Sequence, residues 1–261
     1  MVPVIFEGMT WSYSRISSFD SCPYKFFLTY IRPQSQRPLF FSSYGSFMHG
    51  ILERYYSGSL DRSELLAYYL TNFHDAVSAK PPSLKVFSNY YRDGMDYLQS
   101  FTPLPGKVLG VEKHVEFSLG GKSFQGFTDL LLDDGGRLVV TDHKARTLKP
   151  RSNRKKPTKT DEELDRYLRQ LYLYSIPLRE QYGRFPDELS FNCYRSGLVI
   201  REPFRETALH EAEDWALSSI RKIETSKDWP PNMDFCRCKY LCDVSHECEY
   251  CEMEFGDWRR F

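Results

Sequence analysis

Gly126-Phe127-Thr128-Asp129-Leu130-Leu131-Leu132-Asp133-Asp134-Gly135-Gly136-Arg137-Leu138-Val139-Val140-Thr141-Asp142-His143-Lys144 reads as two apolar strands on either side of an Asp-Asp-Gly-Gly turn. Glycines behind aspartates supply the positive φ that a tight hairpin turn needs. If Gly135-Gly136 form the loop, Asp129 stands directly across from Asp142. If Asp134-Gly135 form it, Asp142 moves by two positions and keeps its face. Lys144 lies two residues beyond Asp142, so alternation puts it on that face too. A three-residue loop or a bulge would undo the alignment.

Two carboxylates gathered this way repel each other unless a hard cation joins them, and Mg²⁺ or Mn²⁺ prefers oxygen ligands. Such an ion polarises a phosphodiester and lowers the pKa of water at the site. A lysine beside it can orient that water or offset charge growing on phosphate oxygens. A single Asp in a strand is ordinarily a solvated residue. The paired acids with a lysine on one face point instead to metal-assisted hydrolysis.

Outward from the hairpin, residues 107–119 read as a strand, joined by Gly120-Gly121 to the strand that runs through Leu132. The chain before it is helical. Ser14 caps a short helix opening at Arg15, Cys22-Pro23 breaks it, and an aromatic segment follows over 24–30. Over 46–56 the apolar residues Phe47, Met48, Ile51, Leu52 and Tyr55 recur at helical spacing. More helix is expected over 63–98, interrupted at Pro81 and Pro82.

After the hairpin, residues 144–159 hold eight Lys or Arg, two prolines and no acid, the signature of an exposed, mobile loop. Thr160-Asp161-Glu162-Glu163 has capping-box form and opens a helix to about residue 180. A second hairpin turns at Ser196-Gly197; Cys193 alternates with Leu189 and Phe191 as ordinary core. A final amphipathic helix uses Leu209, Ala212, Ala216 and Ile223, and Trp229-Pro230-Pro231 ends it. The order predicts an α/β fold, a central mixed β-sheet flanked by helices, in a single domain over 1–261.

Hydrophobic content of 41% and aromatic content of 16% supply a core, so disorder is excluded as the main state. Formal net charge is zero, so nucleic-acid affinity would have to come from segregated charge such as the basic loop, where Arg146 and Lys149 leave the acidic strand. The N-terminus lacks the pattern of a secretory signal, and no apolar run approaches the ~20 residues that cross a bilayer. A soluble, cytoplasmic protein without a membrane partner is expected. Seven cysteines in that compartment do not suggest a disulfide framework. Cys236, Cys238, Cys242, Cys248 and Cys251 crowd the tail, and Cys22 stands alone near the start.

Gly126-x-x-Asp129, a short turn, and Asp142-x-Lys144 resemble the core of the PD-(D/E)XK nucleases. His49 in Gly45-x-x-x-His49, Gln170-x-x-x-Tyr174 on the helix after the basic loop, and Glu112 on the preceding strand resemble the RecB-like branch. The resemblance implies a restriction-endonuclease-like core. In it His49, Asp129 and Asp142 would ligate Mg²⁺ or Mn²⁺, with His143 beside them as a further candidate ligand. Glu112 would be the additional acid and Lys144 the catalytic lysine, while Gln170 and Tyr174 would touch the substrate strand. A His between Asp142 and Lys144, and an Asp as the second acid, depart from the commoner pattern without removing a required group.

Cys238-x3-Cys242-x5-Cys248, with Cys22 far upstream, resembles the iron–sulfur staple of AddB-type and CRISPR-associated exonucleases, with a first gap one residue longer. It implies a [4Fe–4S] cluster joining 1–30 to 229–261. Zn²⁺ on the same thiolates, with His246 able to join, is the alternative, and Cys236 and Cys251 are rival ligands. The sequence therefore reads as a metal-dependent DNA exonuclease acting on single strands or duplex ends in recombination, repair or phage- or CRISPR-related DNA processing. A helicase or recombination protein would supply unwinding, since no Gly-x-x-x-x-Gly-Lys-Ser/Thr loop is present. The alternative is a catalytically silent DNA-binding or assembly module of the same fold.

Overall fold

The structure, a computed structural model, describes residues 6–256. Helices come first: α1 (Tyr13–Ser21), α2 (Pro23–Phe26) running into a π turn, α3 (Phe40–Tyr56), α4 (Leu65–Ala76) and α5 (Leu84–Gln99). Strands β1 (Lys107–Leu119), β2 (Lys122–Asp134) and β3 (Arg137–His143) form a meander. Helix α6 (Lys159–Tyr182) crosses to β4 (Glu188–Cys193), which turns into β5 (Leu198–Pro203). Helices α7 (Glu206–Thr225), α8 (Phe235–Tyr240) and α9 (Glu249–Phe255) close the chain.

The sheet follows chain order, β1-β2-β3-β4-β5. Every neighbouring pair is antiparallel except β3 and β4, which are parallel and need the long α6 crossover. The expected mixed sheet flanked by helices is the architecture found. Asp134 pairs with Arg137, so Gly135 and Gly136 are the two loop residues, at φ 63° and 88°. Of the two alignments open from sequence, this is the one that sets Asp129 across from Asp142.

Apolar packing covers both faces of the sheet. Helices α6 and α7 pack on one side with Phe124, Leu131, Val140, Leu189 and Ile220. On the other, α3, α4 and α5 form a tyrosine- and phenylalanine-rich cluster that includes Tyr44, Met48, Tyr69, Phe73 and Tyr194. From Leu189 to Cys193, β4 is buried at every position, so Cys193 is core as expected.

Some local signals act at shifted positions. Ser12, not Ser14, caps α1, accepting from the Arg15 N–H at 3.2 Å. Helix α3 begins at Phe40, earlier than residue 46, and no side chain caps it. Thr158, not Thr160, caps α6 in a box with Asp161.

The basic segment is pinned rather than loose. Leu148 is buried, and Arg151 donates to Glu202 at 2.8 Å and to Asp165 at 2.6 Å. Asp161 accepts from the Ser152 N–H and hydroxyl, both at 2.7 Å, and from the Thr158 N–H at 2.6 Å. The acids that fasten this segment lie beyond it in sequence, which is why its own composition gave no sign of order. Among the described residues no helix is long and apolar enough to cross a membrane.

Candidate active site

Midway along β2, Asp129 faces the end of β3, and its Oδ2 accepts the His143 N–H at 2.7 Å. His49, on α3, places Nδ1 3.3 Å from the same oxygen and Nε2 2.6 Å from the His143 carbonyl oxygen. If Nε2 carries the proton given to that carbonyl, Nδ1 turns a lone pair toward a carboxylate. Two acceptors meet there. Glu112 completes the group: one ligand atom each from His49, Glu112 and Asp129 lie within 4.8 Å of one another.

Electrostatics agree with that geometry. Burial holds His49 below its ordinary value, so it is neutral and fit to ligate. Burial, and then the charge of Asp142, lift the Asp129 carboxyl well above the usual carboxylate range. Glu112 is raised by burial and by the charges of Glu53 and Asp142. The mixed N and O donors of this set suit a divalent ion.

Glu112 reaches the group by a distorted backbone. Its φ is 43°, the one positive value at a non-glycine among the described residues, just after a register shift between Val108 and Gly110. A left-handed residue inside a strand costs on the order of 1–2 kcal/mol, and such strain gathers at functional sites.

Asp142 is buried beside this group. Lys144 Nζ donates to its Oδ1 at 3.0 Å and lies 2.8 Å from Oδ2, which is buried without a hydrogen bond of its own. Burial acts to lower Lys144, but the charge of Asp142, its hydrogen bond and Asp129 outweigh burial and raise it. The lysine is therefore a cation at neutral pH. Its backbone N–H donates to the Asn192 carbonyl at 2.9 Å, which fixes the strand end that carries it.

The family model of the PD-(D/E)XK nuclease superfamily matches residues 10–254. The chain belongs to that superfamily. A solved structure named "Putative exonuclease", from Eubacterium rectale, is similar at 13% identity and a TM-score of 0.50, covering 95% of this chain and 93% of that one. That likeness concerns the fold. A second, SSO0001, shares 17% identity over 70% of this chain and 80% of its own, with a TM-score of 0.26. No curated protein matches significantly.

In this PD-(D/E)XK chain, α6 lays three side chains along the site. Gln170 Oε1 lies 3.4 Å from Lys144 Nζ, and Tyr174 stands one helical turn beyond Gln170 on the same face. The Tyr174 ring rests on the backbone of β2, where a Cβ at Gly126 would come within 2.3 Å of it. Tyr167, one turn before Gln170, has Lys144 Nζ 5.5 Å from its ring centroid. Sequence reading passed over Tyr167, although its spacing from Gln170 and Tyr174 puts all three on one face. Tyr13 was passed over too. It lies near Lys144 and Asp142, and only the fold brings α1 there.

His143 is placed differently from the other candidates. Its Nδ1 lies 3.1 Å from the Asn192 side-chain amide nitrogen, its ring stacks on Tyr56, and burial pushes its pKa down to about 3. What His143 offers the site is its carbonyl oxygen. Arg146 pairs with Glu163 at 2.6 Å near Tyr167, while Lys149 is exposed on the loop.

Cys22 lies against the C-terminal segment that carries the tail cysteines. Cys22 Sγ accepts from the Lys25 N–H at 3.4 Å and from the Asn232 N–H at 3.3 Å. Lys25 pairs with Asp243 at 2.8 Å, and Tyr24 donates to Glu249 at 2.8 Å. Cys238, Cys248 and Cys251 are buried together with Leu28 and Val244, Cys242 packs against them, and Cys236 is exposed. Burial pushes the Cys242 thiol up to about 11 and raises Cys248; burial and the charge of Cys248 raise Cys251. A bound cation would reverse that by favouring thiolates.

Proposed function

We propose that the protein is a metal-dependent DNA nuclease that hydrolyses phosphodiester bonds from strand ends. The observation that carries this is the convergence of His49, Glu112 and Asp129 beside the Asp142–Lys144 pair. Mg²⁺ or Mn²⁺ there would be held by His49, Asp129 and Asp142, with Glu112 and the His143 carbonyl completing the donors. The ion supplies Lewis acidity and acidifies water at the site.

The chain's own groups do the remainder. Lys144, kept cationic by Asp142, orients the attacking water or offsets charge on the phosphate. Gln170 holds the lysine's other side and, with Tyr174, borders the substrate strand. Exonucleolytic work in recombination, repair or phage- or CRISPR-related processing fits this site, with unwinding left to a partner motor.

Cys22, Cys238, Cys242 and Cys248 would hold a [4Fe–4S] cluster, with Zn²⁺ the other candidate and Cys251 a rival ligand. Its role is structural, since phosphodiester hydrolysis moves no electrons. The cluster would tie α2 to the C-terminal helices.

The test is cleavage of end-labelled single- and double-stranded DNA in Mn²⁺, Mg²⁺ or chelator, beside Lys144→Ala and Asp142→Ala. Metal-dependent cleavage lost in both variants is expected. Cleavage equal in all three proteins would mean contamination, and binding without any cleavage would favour the silent module.

A further inference from the structure

A cleft of about 630 Å³ opens beside the catalytic lysine and runs between α1, α6, α7 and the cysteine-bearing segment. Five cationic side chains line it against two acids, in a chain whose formal net charge is zero. Both acids are already engaged: Asp20 accepts the Trp215 indole N–H at 2.7 Å, and Glu163 pairs with Arg146. Arg166 and Arg169 make no salt bridge among the described residues, and Arg166 is exposed. Arg169 instead rests on the Trp215 ring, 5.0 Å from its centroid.

That support matters chemically. A guanidinium lying on an indole keeps its N–H edges free for phosphate oxygens while its position is fixed. Tyr13 packs against Trp215 at 5.6 Å, and its hydroxyl donates to the Arg166 carbonyl at 2.9 Å. Tyr13, Tyr167 and Trp215 therefore give the cleft an aromatic lining, with Lys144 Nζ 5.5 Å from the Tyr167 ring centroid. Rings beside arginines are the composition of surfaces that take unpaired bases along a phosphate backbone. Cys22, Cys238 and Cys242 line the far end of the cleft, so that end belongs to the proposed cluster and the arginine-bearing end is left for a strand.

We propose that this cleft is the track of single-stranded DNA leading to Lys144, with Arg166 and Arg169 on successive phosphates and the Tyr13, Tyr167 and Trp215 rings against bases. This deepens the nuclease reading and depends on it only for the direction of travel.

Binding is measured without turnover, in chelator, by anisotropy of a labelled 15-nucleotide oligo(dT) across a salt series, against a blunt duplex of equal length. The single strand should bind at least ~10-fold more tightly. Arg166→Ala with Arg169→Ala should weaken it ~10-fold or more and flatten the log K against log salt slope by about 1.4, at roughly 0.7 per phosphate lost. Lysines at both positions should restore much of the affinity, and Trp215→Ala should cost ~10-fold where Trp215→Phe costs less. Melting curves show that each variant is folded. Unchanged binding by the folded arginine variant, or duplex binding as tight as single-strand binding, overturns the assignment, even if Lys144-dependent cleavage is intact. Absent cleavage with the binding losses present would instead remove the nuclease reading and leave the cleft.

Discussion

The ring of Tyr174 on α6 fills the space that a Cβ at Gly126 on β2 would need, at a separation of 2.3 Å. Two residues that read as separate motif letters are one packing contact. The missing side chain lets α6 settle on the sheet, and that depth sets how close Gln170 comes to Lys144. Gly126→Ala should therefore cost about 1–3 kcal/mol in stability and reduce cleavage at least tenfold. Tyr174→Ala in the same protein should recover part of the stability, because the clash goes with the ring. Denaturant melts of the two singles and the double would measure the coupling; simple additivity would refute the contact.

The metal group makes a second prediction. Without a cation, Asp129, Glu112 and the lone pair of His49 face each other at a cost to the fold. Mn²⁺ at about 100 times its Kd should stabilise the protein by about 2.7 kcal/mol. Asp129→Asn should remove that gain while leaving the metal-free protein at least as stable, since burial and Asp142 both oppose the charge of Asp129. Thermal melts with and without Mn²⁺ read both effects. A metal shift that survives Asp129→Asn would place the ion elsewhere.

Strain at Glu112 gives the opposite signs for stability and activity. Glycine tolerates a φ of 43°, so Glu112→Gly should raise stability by ~1 kcal/mol, or a few degrees in Tm. Cleavage should fall with the lost carboxylate. If the variant is both less stable and fully active, Glu112 is neither strained nor part of the site.

The hairpin was legible because its signals are local. Alternation, the Asp-Asp-Gly-Gly turn and the two-residue offset of Lys144 from Asp142 fix which side chains share a face, and the observed Asp134–Arg137 pair agrees. Tyr13 beside Lys144, the unusual backbone of Glu112 and the Asn192 contacts were not legible. Each is made by a segment remote in sequence and leaves no periodic mark. The order of the basic segment leaves no local mark for the same reason: its partners Asp161, Asp165 and Glu202 lie beyond residues 144–159.

Asp161 makes that fastening dependent on pH. The N–H and hydroxyl donors of Ser152 and Thr158 hold its carboxyl far below the usual range. A depressed folded-state pKa contributes stability above the unfolded value, near 3.9, and loses it as pH falls toward the folded value. Asp161→Asn should thus be less stable than wild type by a constant margin from about pH 5 to 8, with the gap closing below about pH 4. Tryptic nicking after Arg154 or Lys155 should be faster in the variant at neutral pH. A margin that widens on acidification would contradict the donor arrangement.

The cysteine clasp can be tested by choosing residues that differ in placement but not in chemistry. Cys22 accepts from Asn232, 210 positions away, whereas Cys236 is exposed and outside the buried group. A cluster closing a loop of that size would stabilise the chain by about 5 kcal/mol if it acts like other covalent closures. Protein purified without oxygen should be brown-yellow with a [4Fe–4S] cluster and colourless with Zn²⁺. Cys22→Ser should remove the colour and much of the stability, while Cys236→Ser should leave both. Cys251→Ser separates the rival quartets: retained absorption assigns Cys242 and Cys248 as ligands beside Cys238, and lost absorption brings Cys251 into the set. Colourless protein that binds one equivalent of zinc would assign the same clasp to the other metal.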